Sequence, residues 1–203
     1  MKIICIGRNY SEHAKELKNE LPDEPVIFLK PQSSLLQKGK DFYYPDFTKD
    51  LHYECELVLK ICKNGKHIQE KFAAKYYQQI SVGIDFTARD LQQKQKQKGL
   101  PWEIAKAFDN SAAVGDFIDI TEEQKKQAFH FKLLVNGVEK QNGNSEEMIF
   151  RPDSIIAYVS RYFTLNTGDL IFTGTPKGVG PVAIGDKLEG YLDEKKLFEF
   201  FIK

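Results

Sequence analysis

The run "HYECELVLKIC", residues 52–62, constrains this chain more than any other stretch. Its apolar residues read as a buried strand, and Glu54 and Glu56 stand at its head, two positions apart. Side chains on a strand alternate between faces, so both carboxylates project to one side while Cys55 points to the other. Like charges side by side on a partly buried face repel, and burial disfavours the ionised form of each. A proton, a pair of basic side chains or a divalent cation must compensate them. Any fold this chain adopts has to bring one of the three to the head of that strand.

Elsewhere strand signals outnumber helix signals. "KIICIG", "PVIFLKP" and "ISVGIDFT" are short apolar runs, and "AFHFKLLVNGVEKQ" places Asn136-Gly137 between alternating residues, the signature of a tight hairpin. The last third, from "GDLIFTG" onward, is glycine-punctuated strand. Helical periodicity or composition marks "SEHAKELKN" with Ser11 at its start, "HIQEKFAAKYYQQ", "ARDLQQKQKQK" ending at Gly99, and "RPDSIIAYVSRYF" with Asp153 near its start. Helices and strands do not alternate regularly, which predicts an α+β, strand-dominated domain and not a doubly wound sheet. At 203 residues a single domain spanning 1–203 is the simplest expectation.

With 29 basic and 29 acidic residues, the chain lacks the excess positive charge of a nucleic-acid or membrane-surface binder, and a small-molecule partner is expected. The opening "MKIICIGRNY" carries no leader and no apolar run is long enough to span a bilayer, so the expected location is cytoplasmic. Cys5, Cys55 and Cys62 each sit in a strand-like run, outside any CxxC pair, and are expected to be buried free thiols.

Asp85, inside "GIDFTARD", is a third carboxylate in apolar surroundings. With Glu54 and Glu56 it offers three oxygen donors suited to magnesium or manganese. The plainer alternative, in which the glutamates edge a strand and Asp85 caps the next helix, is equally compatible with the spacing. Three carboxylates around one divalent ion leave net negative charge, so an anionic substrate needs cationic help. Lys106 and Lys30 each interrupt an apolar stretch and are candidates for it, unless their stems pack while their heads reach solvent. His13 and Glu16 stand three apart on one helical face, the arrangement of a carboxylate-oriented general base and equally of an ordinary surface pair. "FTGTPKGVG" lacks P-loop spacing; its amides are placed either to cradle a carboxylate or to make a tight turn. The lysines of "KQKQK", 94–98, read as a solvated helix face, and Trp102 as core.

Taken together and in order, "GRNYSEHAKE", "VIFLKP", "HYECELVL", "GIDFTARDLQ", "KGLPWEIAKAFD" and "DLIFTGTPKGVGPV" resemble the fumarylacetoacetate hydrolase family, in particular its short acylpyruvate hydrolase and oxaloacetate decarboxylase branch. The resemblance covers nearly the whole chain. It implies a mixed β-roll or β-sandwich with peripheral helices, forming a homodimer. It further implies that Glu54, Glu56 and Asp85 bind Mg2+ or Mn2+ with Lys106 beside the ion, and that His13 and Glu16 activate water. Gln92 matches a residue that orients the reacting group, Thr175 one that contacts the substrate carboxylate, and Arg89 one that supports the site, with Lys30 on the substrate side. The implied reaction is cleavage of the carbon–carbon bond of acylpyruvates to pyruvate and a carboxylic acid. Oxaloacetate decarboxylation and 2-hydroxyhepta-2,4-diene-1,7-dioate isomerisation are alternatives on the same site. No motif specifies the wall that would read the acyl group.

Overall fold

The structure, a computed structural model, describes residues 1–16 and 20–203. Its strands are β1 (Ile3–Gly7), β2 (Val26–Lys30), β3 (Leu51–Tyr53), β4 (Cys55–Ile61), β5 (Tyr77–Asp85), β6 (Thr87–Ala88), β7 (Ala112–Val114), β8 (Ile118–Asp119), β9 (His130–Val135), β10 (Val138–Asn144), β11 (Leu170–Phe172), β12 (Gly180–Pro181), β13 (Lys187–Leu192) and β14 (Lys195–Phe201). The helices are α1 (Ser11–Glu16), α2 (Arg89–Lys98), α3 (Glu103–Lys106) and α4 (Pro152–Tyr162). The predicted first helix extended over residues 17–19, which lie outside the described residues.

The fold is the α+β mixed β-roll with peripheral helices that the resemblance implies. Its largest sheet has the order β2-β1-β11-β4-β5-β7, with β8 also paired to β5; a second, β10-β9-β13-β14, carries the predicted hairpin, and a third is β12-β3-β6. In the hairpin Asn136 and Gly137 both adopt left-handed φ (53° and 77°), as the tight primed turn requires. Within the main sheet β1 and β11 run parallel while β4 is antiparallel to β11 and β5 to β4. The C-terminal ends of β1, β11 and β5 therefore meet the N-terminal head of β4 at one end of the sheet. The sheet also curls: Leu36, beyond β2, donates its N–H to the carbonyl of Ala112 in β7, which joins the two edges. Ile3, Ile4, Cys5 and Ile6 are all buried, which explains why β1 reads as a continuous apolar run and not an alternating one.

Three sequence expectations need correction here. "HIQEKFAAKYYQQ" forms only a 3₁₀ segment, Glu70–Tyr76, and Tyr77 already starts β5, paired with Ile61 and buried. Cross-strand pairing of an aromatic residue overrides the helical spacing there. The opening run is also two strands, since β3 and β4 belong to different sheets and separate at Glu54. All three cysteines are free, with Cys5 and Cys55 buried as expected but Cys62 partly exposed.

Candidate active site

Glu54, Glu56 and Asp85 come together at the shared end of β4 and β5, held in register by the Asp85 N–H bonding the Glu54 carbonyl at 2.8 Å. All three are buried, and one carboxylate oxygen from each lies within 4.8 Å of the others. Such a buried, all-oxygen donor set fits a hard divalent cation such as Mg2+ or Mn2+. Asp85 is no helix cap, because α2 starts after Ala88 without a side-chain cap. Its carboxylate instead faces two lysines, Lys106 at 2.7 Å and Lys30 at 2.7 Å. Lys106 also donates to Glu54 at 2.7 Å, so one ammonium bridges two of the three carboxylates. Arg89 donates to the other Glu54 oxygen at 2.5 Å and to Gln92 Oε1 at 2.7 Å. The compensation demanded by the opening run thus comes from basic side chains, within a donor set that a metal ion also suits.

These contacts polarise the acidities. Burial alone would raise the Glu54 carboxyl, but the Lys106 and Arg89 charges outweigh it and hold Glu54 well below the usual range. Lys106 is pushed down by burial and, more strongly, up by Asp85 and Glu54. Glu56 goes the other way. Burial, then the Asp85 and Glu54 charges, raise it well above an ordinary glutamate, and the Gly174 N–H at 2.7 Å does not offset them.

Gly174 belongs to "FTGTPKGVG", and the loop does cradle carboxylates, though they are the protein's own. Its Gly174 amide holds Glu56, and its Gly178 amide reaches the two oxygens of Glu16 at 3.2 and 3.3 Å. Gly174 adopts φ +100°, and a Cβ there would meet the Asn9 Cβ at 2.7 Å, so only glycine suits the position. Thr175, next in the loop, donates its hydroxyl to the Cys55 carbonyl at 2.8 Å and accepts from Gln141 at 2.8 Å.

Glu16, fixed by the loop, lies 3.3 Å from His13 Nδ1. His13 is buried, and burial lowers its basicity below the ordinary histidine value despite the Glu54 and Glu16 charges. With Nδ1–H donating a hydrogen bond to Glu16, the neutral ring keeps its Nε2 lone pair free to accept a proton. His13 lines the same small cavity, about 30 Å3, as Glu54, Glu56, Asp85, Arg89, Gln92, Lys106 and Thr175.

Two predicted site residues do not line this cavity: Glu16, which reaches it only through His13, and Lys30. Lys30 is buried behind Asp85, donating to the Ser111 carbonyl and hydroxyl at 3.0 Å each. Its ammonium holds the Asp85 carboxylate and the Lys106 carbonyl. Sequence reasoning also missed several groups. Gln141 accepts from the Cys55 N–H at 2.8 Å and so ties the hairpin to β4. Arg8, Phe28, Lys96 and Trp102 line the cavity as well. The "KQKQK" face is accordingly not all solvated: Lys96 turns inward over Trp102, 5.5 Å from a ring centroid.

A family profile described as Fumarylacetoacetate (FAA) hydrolase C-terminal matches residues 2–200. The chain is 41% identical over 201 residues to the mouse (Mus musculus) protein named oxaloacetate tautomerase FAHD1, mitochondrial, covering 99% of this chain and 91% of that one. Its Arabidopsis thaliana counterpart is 43% identical over 187 residues, covering 92% and 84%. Among solved structures, fumarylpyruvate hydrolase from Pseudomonas aeruginosa in complex with Mn2+ and pyruvate superposes with a TM-score of 0.92 at 35% identity, covering 100% of this chain and 89% of that chain. A 2-hydroxyhepta-2,4-diene-1,7-dioate isomerase from Mycobacterium marinum gives 0.85 at 30% identity, covering 99% and 73%. Fold, site and relatives define a family of enzymes rather than a binding module. This chain belongs to the fumarylacetoacetate hydrolase family.

Proposed function

We propose that this protein is a divalent-metal-dependent enzyme that acts on short 2-oxo acids through the enolate adjacent to the 2-oxo group, and that oxaloacetate is its first substrate. The observation that carries this reading is the buried triad of Glu54, Glu56 and Asp85, two of them bridged by Lys106, and faced across one cavity by His13, which Glu16 holds from behind. Glu54, Glu56 and Asp85 would hold Mg2+ or Mn2+, which when bound supplies the positive charge that polarises a 2-oxo group.

The chain's own residues do the rest. Lys106, charged and buried, favours negative charge developing on the substrate oxygen. Arg89 orients Glu54 and Gln92 together. His13, neutral near pH 7, accepts a proton at Nε2. With oxaloacetate, loss of a C3 proton and return of a proton to oxygen interconverts the keto and enol forms; loss of carbon dioxide gives the same type of enolate without a base. The names of the curated relatives favour oxaloacetate. A second reading, hydrolysis of acylpyruvates, is favoured by the His13 and Glu16 pair and by likeness to a fumarylpyruvate hydrolase. There His13 takes a proton from water as its oxygen adds to the distal carbonyl, the carbon–carbon bond breaks, and the departing pyruvate enolate is protonated at carbon. The proposed protein is cytoplasmic and homodimeric.

The test is a parallel assay of Mg2+-loaded protein on keto–enol exchange of oxaloacetate, its decarboxylation, and consumption of acetylpyruvate, with Glu54→Ala/Glu56→Ala as control. Oxaloacetate conversion that vanishes in the control supports the first reading. Acetylpyruvate consumption that also vanishes in His13→Ala moves the assignment to the second. Conversion of neither compound by the loaded wild type overturns both.

A further inference from the structure

The cavity holds more positive charge than its carboxylates use. Lys106 and Arg89 are committed to Glu54 and Asp85 through the contacts above. Arg8 and Lys96 line the same cavity and, among the described residues, neither has an ion-pair partner.

Each also shows signs of being held for a ligand. Arg8 follows β1 with a left-handed backbone, φ 59°, which a residue with a Cβ adopts only when its surroundings impose it. Its Nε is buried without a hydrogen-bond acceptor. Lys96 is half-buried on the cavity side of α2, its ammonium over the Trp102 ring. Burial, followed by the nearby Arg8 and Arg89 charges, lowers it to about 8. Two cations drawn together, with only the already paired Glu54 carboxylate acting on Lys96 in the opposite sense, oppose folding, and such an arrangement is stabilised when an anion enters between them.

We propose that Arg8 and Lys96 form a subsite for a second carboxylate, so that the enzyme selects 2-oxo dicarboxylic acids over monocarboxylic ones. The inference rests on the 2-oxo acid reading above and specifies its substrate class. Glu54, Glu56 and Asp85 would hold a divalent ion beside Lys106 and Arg89, and that end of the cavity would take the carboxylate and 2-oxo group common to all such acids. Arg8 and Lys96 then face the far end, where a four-carbon diacid ends in a carboxylate and an acetyl-substituted pyruvate in a methyl group. A planar guanidinium offers paired N–H donors to that carboxylate, and the ammonium adds a point charge beside it.

The test separates recognition from turnover by using non-reacting 2-hydroxy acids. Malate and lactate share the chelating end and differ in the distal carboxylate. Calorimetric titration of Mg2+-loaded protein is expected to give a malate-to-lactate affinity ratio of at least tenfold. Lys96→Gln and Arg8→Asn, the latter chosen because asparagine tolerates left-handed φ, should each cut that ratio about tenfold, while Lys96→Arg retains it. Lys96 is only half-buried and glutamine keeps its helix propensity, so misfolding is not the expected cause. A wild-type ratio near one, or a ratio that survives both substitutions, overturns the subsite. If the ratio behaves as expected but no 2-oxo acid is converted, the subsite stands and the catalytic reading falls.

Discussion

At the scale of single residues, Glu56 carries the most distinctive consequence. It is the triad member whose pKa is raised, because burial and the charges of Asp85 and Glu54 disfavour its anion more than the Lys106 charge and the Gly174 amide support it. A raised carboxyl keeps its proton in the folded protein at pH values where the unfolded chain has lost it. Binding a cation needs the anion, so metal uptake should release a proton and affinity should rise with pH through the range in which Glu56 titrates. Titrating Mg2+ into weakly buffered protein is expected to acidify the solution, and Glu56→Gln should abolish the release together with binding; uptake without release would count against this role. Lys96 gives the opposite pH sign. Burial first, then the neighbouring charges of Arg8, Arg89 and Lys106, lower it while Glu54 raises it, leaving it at about 8. Above that value the free protein must regain a proton to bind a dianion, so malate affinity should fall up to about tenfold per pH unit, lactate affinity should stay flat, and Lys96→Arg should remove the slope. The two residues also show what was legible. Charged Glu54, Glu56 and Asp85 in apolar runs contradict their surroundings and so announce themselves. Lys96 sits among lysines and glutamines, where only a distant Trp102 makes it special.

At the scale of elements, the site depends on how closely β4, β5 and β11 pack. Gly83 in β5 pairs with Glu56, and a Cβ there would lie 2.7 Å from the Ala113 carbonyl oxygen and 2.8 Å from Val58 Cγ2. Both contacts are within the sheet and have nowhere to go. Gly83→Ala is expected to cost about 1–3 kcal/mol of stability through overpacking, read as a shift of the urea midpoint, and to loosen the metal site by parting β4 from β5. Asn9 ties the turn after β1 to the rest: its amide donates to the Phe150 carbonyl at 2.9 Å and the Thr173 carbonyl at 2.7 Å and accepts the Phe150 N–H at 2.7 Å. Asn9→Leu strands three polar partners, one buried and two part-buried, and should lower stability by about 2–4 kcal/mol. Strand existence was readable from short apolar runs, and so was the Asn136-Gly137 hairpin. Two boundaries were not: the change of sheet at Glu54 and the entry of Tyr77 into β5. In both places pairing with residues far along the chain settles the conformation, and local periodicity contains no trace of those partners.

At the scale of the whole molecule, the surface beside the site argues for the expected homodimer. α3 carries Lys106 into the cavity on its inner side, while Ile104 two residues earlier is 62% exposed. Phe47, 48% exposed, meets Phe108 edge-on at 5.3 Å, and with Leu91 these side chains make a continuous apolar patch reaching from α2 to α3. An apolar patch of this kind is costly in water and is commonly covered by a partner. A second copy seated there would brace the helices that carry Arg89, Gln92, Lys96 and Lys106. The solution mass measured by light scattering should therefore be about twice 23.3 kDa, and specific activity should fall on dilution as the dimer dissociates. Ile104→Lys is expected to shift the mass to that of one chain and to lower kcat, since the substitution removes the brace without touching the cavity. A wild-type mass of one chain would exclude the dimer, and a dimeric Ile104→Lys variant would place the contact on another face.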